Sequence, residues 1–293
     1  MGISPCPSVL TLPKTERPYP AILDFLDSRF PAVTRETWEQ RILGGKVLND
    51  SGIPITLSSE YVPQERIFYF REVASEPHIP FAEKILYRDE HLLVACKPHF
   101  LPVTPGGRYV NECLLNRLRS STGIRDLAPL HRIDRETAGI VLFSANPQTR
   151  GRYGELILKG GLEKSYQAVS AGQAADNRTL WTIENRIERG EPWFRMRSVP
   201  GTVNARSEVR LMETKEGRSL FNLQPISGKT HQLRVHMSGI GFGILNDRYY
   251  PELQPESADN FDKPLQLIAR SVRFRDPISG GLREFISERV LQW

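Results

Sequence analysis

The chain has 293 residues, enough for one large domain or two at about 150 residues each. With 39% hydrophobic and 25% charged residues it suits a soluble globular protein and excludes a wholly disordered one, while a formal charge of +5 points only faintly to an acidic partner. Three cysteines without close spacing, Cys6, Cys96 and Cys113, exclude a disulfide framework and a CxxC metal clip and favour a reducing compartment; no run of about 18 apolar residues predicts a membrane span.

In chain order, the first residues, MGISPCPSVLTLP, lack a basic start followed by an apolar run, so no secretory leader is expected. Cys6 stands where a myristoylation signal needs Ser or Thr, so that pattern fails too. Without export, the triplets Asn49-Asp50-Ser51 and Asn177-Arg178-Thr179 carry no glycosylation meaning. Residues 1–16 are Pro-rich and predict a flexible arm. Residues 17–75 predict a small α+β module. Ile22, Leu23, Phe25, Leu26 and Phe30 space as one helix face. Thr34 is placed to cap a second helix carrying Trp38, Ile42 and Leu43, ended by Gly44-Gly45. Lys46-Val47-Leu48 then runs through Asn49-Asp50-Ser51-Gly52 to Ile53, Ile55 and Leu57, and Ile67–Phe70 closes as a strand. Ala74–Pro80 reads as a linker.

Residues 81–293 predict one larger domain of many strands and few helices. The strand candidates are Ile85–Tyr87, Leu92–Cys96, Gly139–Ala145, Ser165–Ser170, Thr179–Arg186, Ser207–Glu213, Leu220–Pro225 and Gln266–Phe274. Helices are expected over Tyr109–Leu118, over Pro147–Lys159 with Asn146 as N-cap and Gly160 as stop, and from Thr230 to Gly239 or Gly241. Strands that mostly adjoin one another favour α+β with a largely antiparallel sheet over a doubly wound parallel fold.

Three segments carry chemistry. In Leu130-His131-Arg132-Ile133-Asp134-Arg135-Glu136-Thr137-Ala138-Gly139, basic groups surround one carboxylate before an apolar strand. Arg132 and Arg135 would keep Asp134 ionised, as an attacking carboxylate requires. Alone, such a tetrapeptide is more often an Arg–Asp pair at the start of a strand, and a protein-kinase loop is excluded because Ile133 separates His-Arg from Asp. In Lys164-Ser165-Tyr166-Gln167-Ala168-Val169, alternation puts Lys164, Tyr166 and Ala168 on one face; a tyrosine there can stack on a base or pass a proton, and alone is more often a core residue. In Ser227-Gly228-Lys229-Thr230-His231-Gln232-Leu233-Arg234-Val235-His236, a P-loop is excluded because Leu223 stands where its first Gly must be. His231 and His236 are five apart, not the four of a helical zinc pair. Lys229, His231 and Gln232 near a helix N-terminus would cradle an anion, and Arg234 one turn on can pair with a carboxylate; a capped surface helix is an equal reading of this segment alone.

Taken in order, HRIDRETAG, KSYQAV and GKTHQLRVH, followed by Gly241–Tyr250, resemble the RluA-type RNA pseudouridine synthases, whose patterns read HR[LI]DxxTSG, KxYxA and GRTHQ[IL]RVH with GxPIxGDxxY. Ile85–Pro98 and Leu101–Pro105 look like that family's first strand and Lys-Pro turn, so the resemblance covers roughly residues 81–276. Ala138, Lys229, Gly243 and Asn246 depart from the usual Ser, Arg, Pro and Gly, which touches local shape and substrate fit rather than the reaction. Arg41–Asp50 resembles, more distantly, an S4-type RNA-binding module.

The resemblance implies a pseudouridine synthase fold and the isomerisation of uridine to pseudouridine in transfer or ribosomal RNA, by a monomer in the cytoplasm needing neither metal nor cofactor. It makes Asp134, Tyr166 and Arg234 the catalytic set: the carboxylate, the tyrosine packed on uracil, and the arginine that pairs with the carboxylate. Asp134 would attack the sugar C1′ or assist elimination to a glycal. Arg132 would enter the RNA helix where the target nucleotide leaves. His131, Lys229, His231 and Gln232 would contact phosphate or sugar. A non-catalytic RNA-binding or RNA-folding protein on the same scaffold is the alternative, and an unrelated sugar- or nucleotide-processing enzyme a third; retention of Asp134, Tyr166 and Arg234 together speaks against the former. Residues 1–75 carry −1, whereas residues 105–160 carry +4 and residues 201–250 carry +3, so the positive charge gathers around the proposed site.

Overall fold

The computed structural model describes residues 2–4, 7–31, 33–73, 75–172 and 178–292. Cys6, Ala74 and Asn177, named above, lie outside the described residues. The chain divides into two compact units: one runs up to Pro77 and includes Gly106–Asn111, and the other comprises His78–Pro105 and Glu112 onward. The boundary therefore falls inside the expected linker, and a six-residue loop of the larger stretch belongs to the smaller unit.

In the smaller unit, β1 (Gly2–Ile3), β2 (Ser8–Thr11), α1 (Ile22–Arg29), α2 (Arg35–Leu43), β3 (Val47–Leu48), β4 (Arg66–Tyr69) and β5 (Glu72–Val73) follow in order. β2 and β3 flank β4 in an antiparallel sheet, and β1 pairs β5. Both expected helices form. Ile22, Leu23, Phe25 and Leu26 of α1 and Trp38 and Ile42 of α2 share a core with Val47 and Ile67, and the Thr34 hydroxyl accepts the Thr37 amide at 3.3 Å. Leu43, expected on that face, points outward instead. The flexible arm expected over residues 1–16 is corrected for its described part: Ser8–Thr11 pairs residue for residue with β4, and Leu12 is fully buried. The prolines concealed a short Ser-Val-Leu-Thr strand whose ladder fixes it.

The larger unit contains β6 (Lys84–Arg88), β7 (Leu92–Lys97), α3 (Leu114–Thr122), β8 (Ala128–Pro129), β9 (Ala138–Ser144), α4 (Arg150–Leu158), β10 (Glu163–Ala171), β11 (Leu180–Arg189), β12 (Met196–Val199), β13 (Ala205–Lys215), β14 (Arg218–Pro225), α5 (Gln232–Gly239), β15 (Leu267–Arg275) and β16 (Leu282–Ile286). Its strands form one sheet in the order β12-β11-β13-β14-β10-β15-β9-β7-β6, with β16 beside β15 and β8 beside β9. Among the described strands of this sheet only β15 and β9 run parallel; the α+β class with a largely antiparallel mixed sheet is borne out. β7 and β9 are buried at every position, which is why they read as unbroken apolar runs. α4 lays Tyr153 against Leu92, Ile140, Leu142 and Phe274, while α5 packs Leu233 and Met237 on Ala168, Phe221 and Leu223.

The helix starts moved for local reasons. α3 begins at Leu114 rather than Tyr109 because the Val110 and Asn111 amides are taken by the Glu76 carboxylate, and the Leu114 amide by the Pro102 carbonyl at 2.8 Å. Asn146 does not cap α4 directly; its side chain accepts the Gln148 amide at 2.9 Å, forming a turn that delays the helix to Arg150. α5 begins at Gln232 because His231 sits at φ +52°. The parallel junction of β9 and β15 depends on Gly139, at φ +112°: a Cβ there would lie 2.2 Å from the Ala269 carbonyl oxygen. Gly139→Ala is expected to destabilise the protein by about 3–5 kcal/mol or to abolish soluble expression. Urea unfolding measures this, and a change under 1 kcal/mol would contradict the close approach.

Candidate active site

The loop from His131 to Thr137, between β8 and β9, is pinned from several sides. The Leu142 amide donates to His131 Nε2 at 3.2 Å, and the Thr137 amide closes a turn onto the Asp134 carbonyl at 3.2 Å. Beneath it, the fully buried Lys97 ammonium donates to the carbonyls of Pro98, Leu101 and Arg135 at 2.9, 2.6 and 3.0 Å. His99 Nδ1–H donates to the Glu136 carbonyl at 2.6 Å. The Lys-Pro turn at the end of β7 therefore clips the backbone just after the candidate carboxylate. Burial holds the Lys97 amine down at about 7 despite the nearby Glu136 and Asp134 charges.

Asp134 meets α5 rather than its sequence neighbours. Arg234 is buried, and its guanidinium forks onto Asp247, Nε to Oδ2 at 2.8 Å and Nη2 to Oδ1 at 2.7 Å. Its remaining nitrogen, Nη1, reaches Asp134 Oδ2 at 3.3 Å. Burial opposes the charge on Arg234, but the bonds and charge of Asp247, with help from Asp134, outweigh it and raise the guanidinium above its ordinary value. Asp247 is fixed in turn by the Tyr249 and Tyr250 amides at 2.8 and 3.2 Å. The guanidinium lies 4.8 Å from the Tyr249 ring centre and 5.4 Å from that of Tyr250.

Several sequence expectations change here. Arg135 was expected to support Asp134; it is bound instead to Glu136 at 2.8 Å and bidentately to Asp259 at 2.7 and 2.9 Å. Gln232 was expected at phosphate. Its oxygen accepts from the Ser227 hydroxyl and the Lys229 amide, and its nitrogen donates to the Arg206 carbonyl and Ser207 hydroxyl, all at 2.7–3.0 Å inside the fold. Such a side chain braces the loop ahead of α5 and has no group left for RNA. His131 was expected as an RNA contact as well; burial, followed by the charge of Lys164, lowers it to about 4, so its neutral ring serves as a backbone acceptor.

His231 faces the carboxylate instead of solvent. The Tyr250 hydroxyl accepts the Met196 amide at 2.7 Å and lies 3.0 Å from His231 Nδ1. With the hydroxyl's proton directed to Nδ1, the imidazole carries its own on Nε2, which stands 3.9 Å from Asp134 Oδ2. Burial lowers His231 below its ordinary value against the pull of Asp134, which favours this neutral form. Asp134 Oδ2 is thus flanked by Arg234 and His231, while Oδ1 accepts no hydrogen bond among the described residues. A carboxylate with one oxygen tethered and the other presented has the geometry of a nucleophile or a base.

Tyr166, in the middle of the sheet on β10, is half-buried, and burial followed by the charge of Asp134 raises its phenol well above the ordinary value. It stays protonated beside Asp134 and can pack against a planar ring. Arg132 and Lys229 are exposed and make no ion pair among the described residues, which leaves both available to an anionic ligand. Asp247, Tyr250, Lys97 and His99 were not picked out as site residues. The only sequence signal for Asp247 was its place in the Asn246–Tyr250 stretch of the resemblance. Among the described residues no three His, Cys, Asp or Glu side chains converge as a metal site.

The chain is also similar in sequence and fold to known proteins. Residues 91–239 match the family model described as RNA pseudouridylate synthase. The chain is 27% identical over 246 residues to an uncharacterized RNA pseudouridine synthase of Synechocystis, covering 78% of this chain and 79% of that protein. It is 29% identical over 231 residues to ribosomal large subunit pseudouridine synthase C of Salmonella typhimurium, 75% of this chain and 72% of that one. To the mitochondrial tRNA pseudouridine(32) synthase of Saccharomyces cerevisiae it is 26% identical over 172 residues, 57% of this chain but 37% of the yeast protein. The solved structure of human RNA pseudouridylate synthase domain containing 1 shares the fold, with a TM-score of 0.60 at 22% identity over 73% of this chain and 86% of that one.

Two outcomes test the site's construction. Asp247→Ala leaves the Arg234 charge buried with its main partner gone and should cost about 3–5 kcal/mol in urea unfolding. A loss below 1 kcal/mol would show that Asp134 alone can hold the guanidinium. Burial also lowers His99, His131 and His236 to about 4 from 6.5. Between those values the unfolded chain binds protons that the folded chain does not, so stability present above pH 6.5 is lost as pH falls toward 4. Near pH 5 these three histidines contribute a slope of about 4 kcal/mol per pH unit, and His131→Gln should remove about a third of that slope.

Proposed function

The chain belongs to the RNA pseudouridylate synthase family, whose members are isomerases, and we propose that it converts specific uridines of transfer or ribosomal RNA to pseudouridine with Asp134 as the catalytic carboxylate. The single observation that carries the assignment is the carboxylate of Asp134 held through one oxygen by a buried arginine, in a chain whose relatives include both a tRNA and a ribosomal RNA enzyme.

The reaction breaks the N-glycosidic bond, turns the uracil and rejoins it through carbon, with no net redox change and no hydrolysis. The free Oδ1 of Asp134 would either bond C1′ as the base departs or take a proton from the sugar on the way to a glycal. Arg234 and His231 act as positioning residues, fixing Oδ2 so that Oδ1 has one direction to point. Tyr166, protonated and half-buried, packs on the displaced uracil; passing a proton during the turn would need a transient acceptor such as Asp134 itself. The target nucleotide has to leave the stack to reach C1′ and C5, and the exposed Arg132 would fill its place in the RNA helix. Lys229, ahead of α5, would meet a backbone phosphate.

The S4-like smaller unit takes an accessory part in this reading. Glu72 partly neutralises Arg41 and Lys46, the cations of its S4-like segment, so the main grip on RNA is assigned to the larger unit. A cytoplasmic monomer belongs to the same proposal; among the described residues no helix is long and apolar enough to cross a membrane.

Release of tritium from cellular RNA labelled at uridine C5 tests the function. The wild type should release it, and Asp134→Asn should fall by at least about 1000-fold. No release by the wild type from any cellular RNA would refute the activity; equal release by Asp134→Asn would refute the site.

A further inference from the structure

The hairpin joining β11 and β12 carries Glu191-Pro192-Trp193-Phe194 at its tip, and its two aromatic side chains face different surroundings. Trp193 is 71% exposed, an unusual setting for an indole. Phe194 turns inward, its ring 5.3 Å from Tyr249, and Tyr249 in turn lies 5.6 Å from His231 beside Asp134. The Trp193 indole stands edge-on to Phe194 at 5.9 Å. Three ring-to-ring steps thus connect an exposed tryptophan with the candidate catalytic centre.

The tip is held in place. Gly190 and Arg195 close the turn, the Gly190 amide donating to the Arg195 carbonyl and the Arg195 amide to the Pro192 carbonyl, both at 2.8 Å. The Arg195 guanidinium donates to the Pro251 carbonyl at 3.0 Å and lies 5.1 Å from the Tyr250 ring centre. The Met196 amide is bonded to the Tyr250 hydroxyl. The tip and the turn at Tyr249–Pro251 are therefore one braced assembly that presents the indole. Beside it, Arg189 and Arg197 are exposed, and neither pairs with a carboxylate among the described residues.

We infer that Trp193 is a stacking platform for an unpaired base of the RNA substrate flanking the target uridine, with Arg189 and Arg197 holding the adjoining phosphates. An exposed indole flanked by unneutralised guanidinium groups is the combination that binds single-stranded nucleic acid, since every base has a face to stack and every linkage a charge. Those cations disfavour an apolar protein partner, which would have to bury them without a counter-charge. The inference rests on the reading of the chain as an RNA uridine isomerase.

The test uses the full-length protein. Trp193→Ala and Trp193→Phe are compared with wild type for tritium release from C5-labelled cellular RNA, for equilibrium binding of that RNA and for Tm. Trp193→Ala should raise KM and Kd about 10- to 100-fold, with kcat within about twofold. Trp193→Phe should recover much of the loss, and Tm should stay unchanged because the indole packs on little. Arg189→Ala with Arg197→Ala should make the slope of log Kd against log salt shallower by about 1.4. Unchanged KM and Kd in Trp193→Ala, with an active wild type, would overturn the inference, as would a change confined to self-association in sedimentation. Weaker RNA binding by Trp193→Ala in a protein that releases no tritium would leave the platform standing and overturn the isomerase reading. A wild type that binds no RNA overturns both.

Discussion

A single guanidinium organises the larger unit's chemistry. Arg234 is buried between two carboxylates, Asp247 behind it and Asp134 ahead, and its planar fork spends two nitrogens on the first to aim the third at the second. Taking such a group out of water is expensive, and the ion pair alone is weak evidence of stability. The arrangement holds because each partner is satisfied again: Asp247 also accepts two backbone amides, and the arginine lies over two tyrosine rings. What the pair supplies is direction. A lysine in its place would offer a point charge without the fork, and the direction of Asp134 would no longer be set by Asp247.

The other supports of Asp134 follow the same logic from the opposite side. Lys97 and His99 bind carbonyls rather than carboxylates, so they fix where the backbone of the loop runs and leave the side chain to α5. His231 occupies a left-handed backbone conformation, φ +52°, that non-glycine residues seldom adopt, just where its imidazole meets Asp134. The bond between its ring and the Tyr250 hydroxyl helps hold the side chain in this position. Local strain beside Asp134, over-determined by its surroundings, trades a little stability for a fixed geometry.

How much of this was legible in the sequence depends on what encodes it. Strands such as β7 and β9 were readable because burial on both faces leaves a continuous apolar run, and α1 and α2 because their apolar spacing and the Thr34 cap are local. The strand at Ser8–Thr11 was masked by neighbouring prolines, since the ladder that fixes it runs to residues more than 50 positions away. Asp134, Tyr166 and Arg234 were picked out by ordered motifs, and the structure brings them together. The pairing of Arg234 with Asp134, expected from the resemblance, is present across 100 residues, whereas the support that adjacency suggested from Arg135 is absent because Arg135 binds Glu136 and Asp259. Gln232 failed as a candidate ligand because a side chain near a helix N-terminus can serve the loop before it as readily as a phosphate, and no sequence pattern separates the two.

The tyrosines after Asp247 show why motif residues with no part in bond making can still be indispensable to a site. Tyr249 and Tyr250 donate backbone amides to the aspartate that holds Arg234, place their rings against that arginine, and through the Tyr250 hydroxyl engage both His231 and the β12 backbone. One short turn therefore sets the cation, the imidazole tautomer and the hairpin that presents Trp193. A displacement of this turn would move all three together, so the direction of Asp134 and the placement of Trp193 cannot be altered independently. That coupling gives the exposed hairpin a fixed relation to the carboxylate, which a flexible loop carrying the same tryptophan would lack.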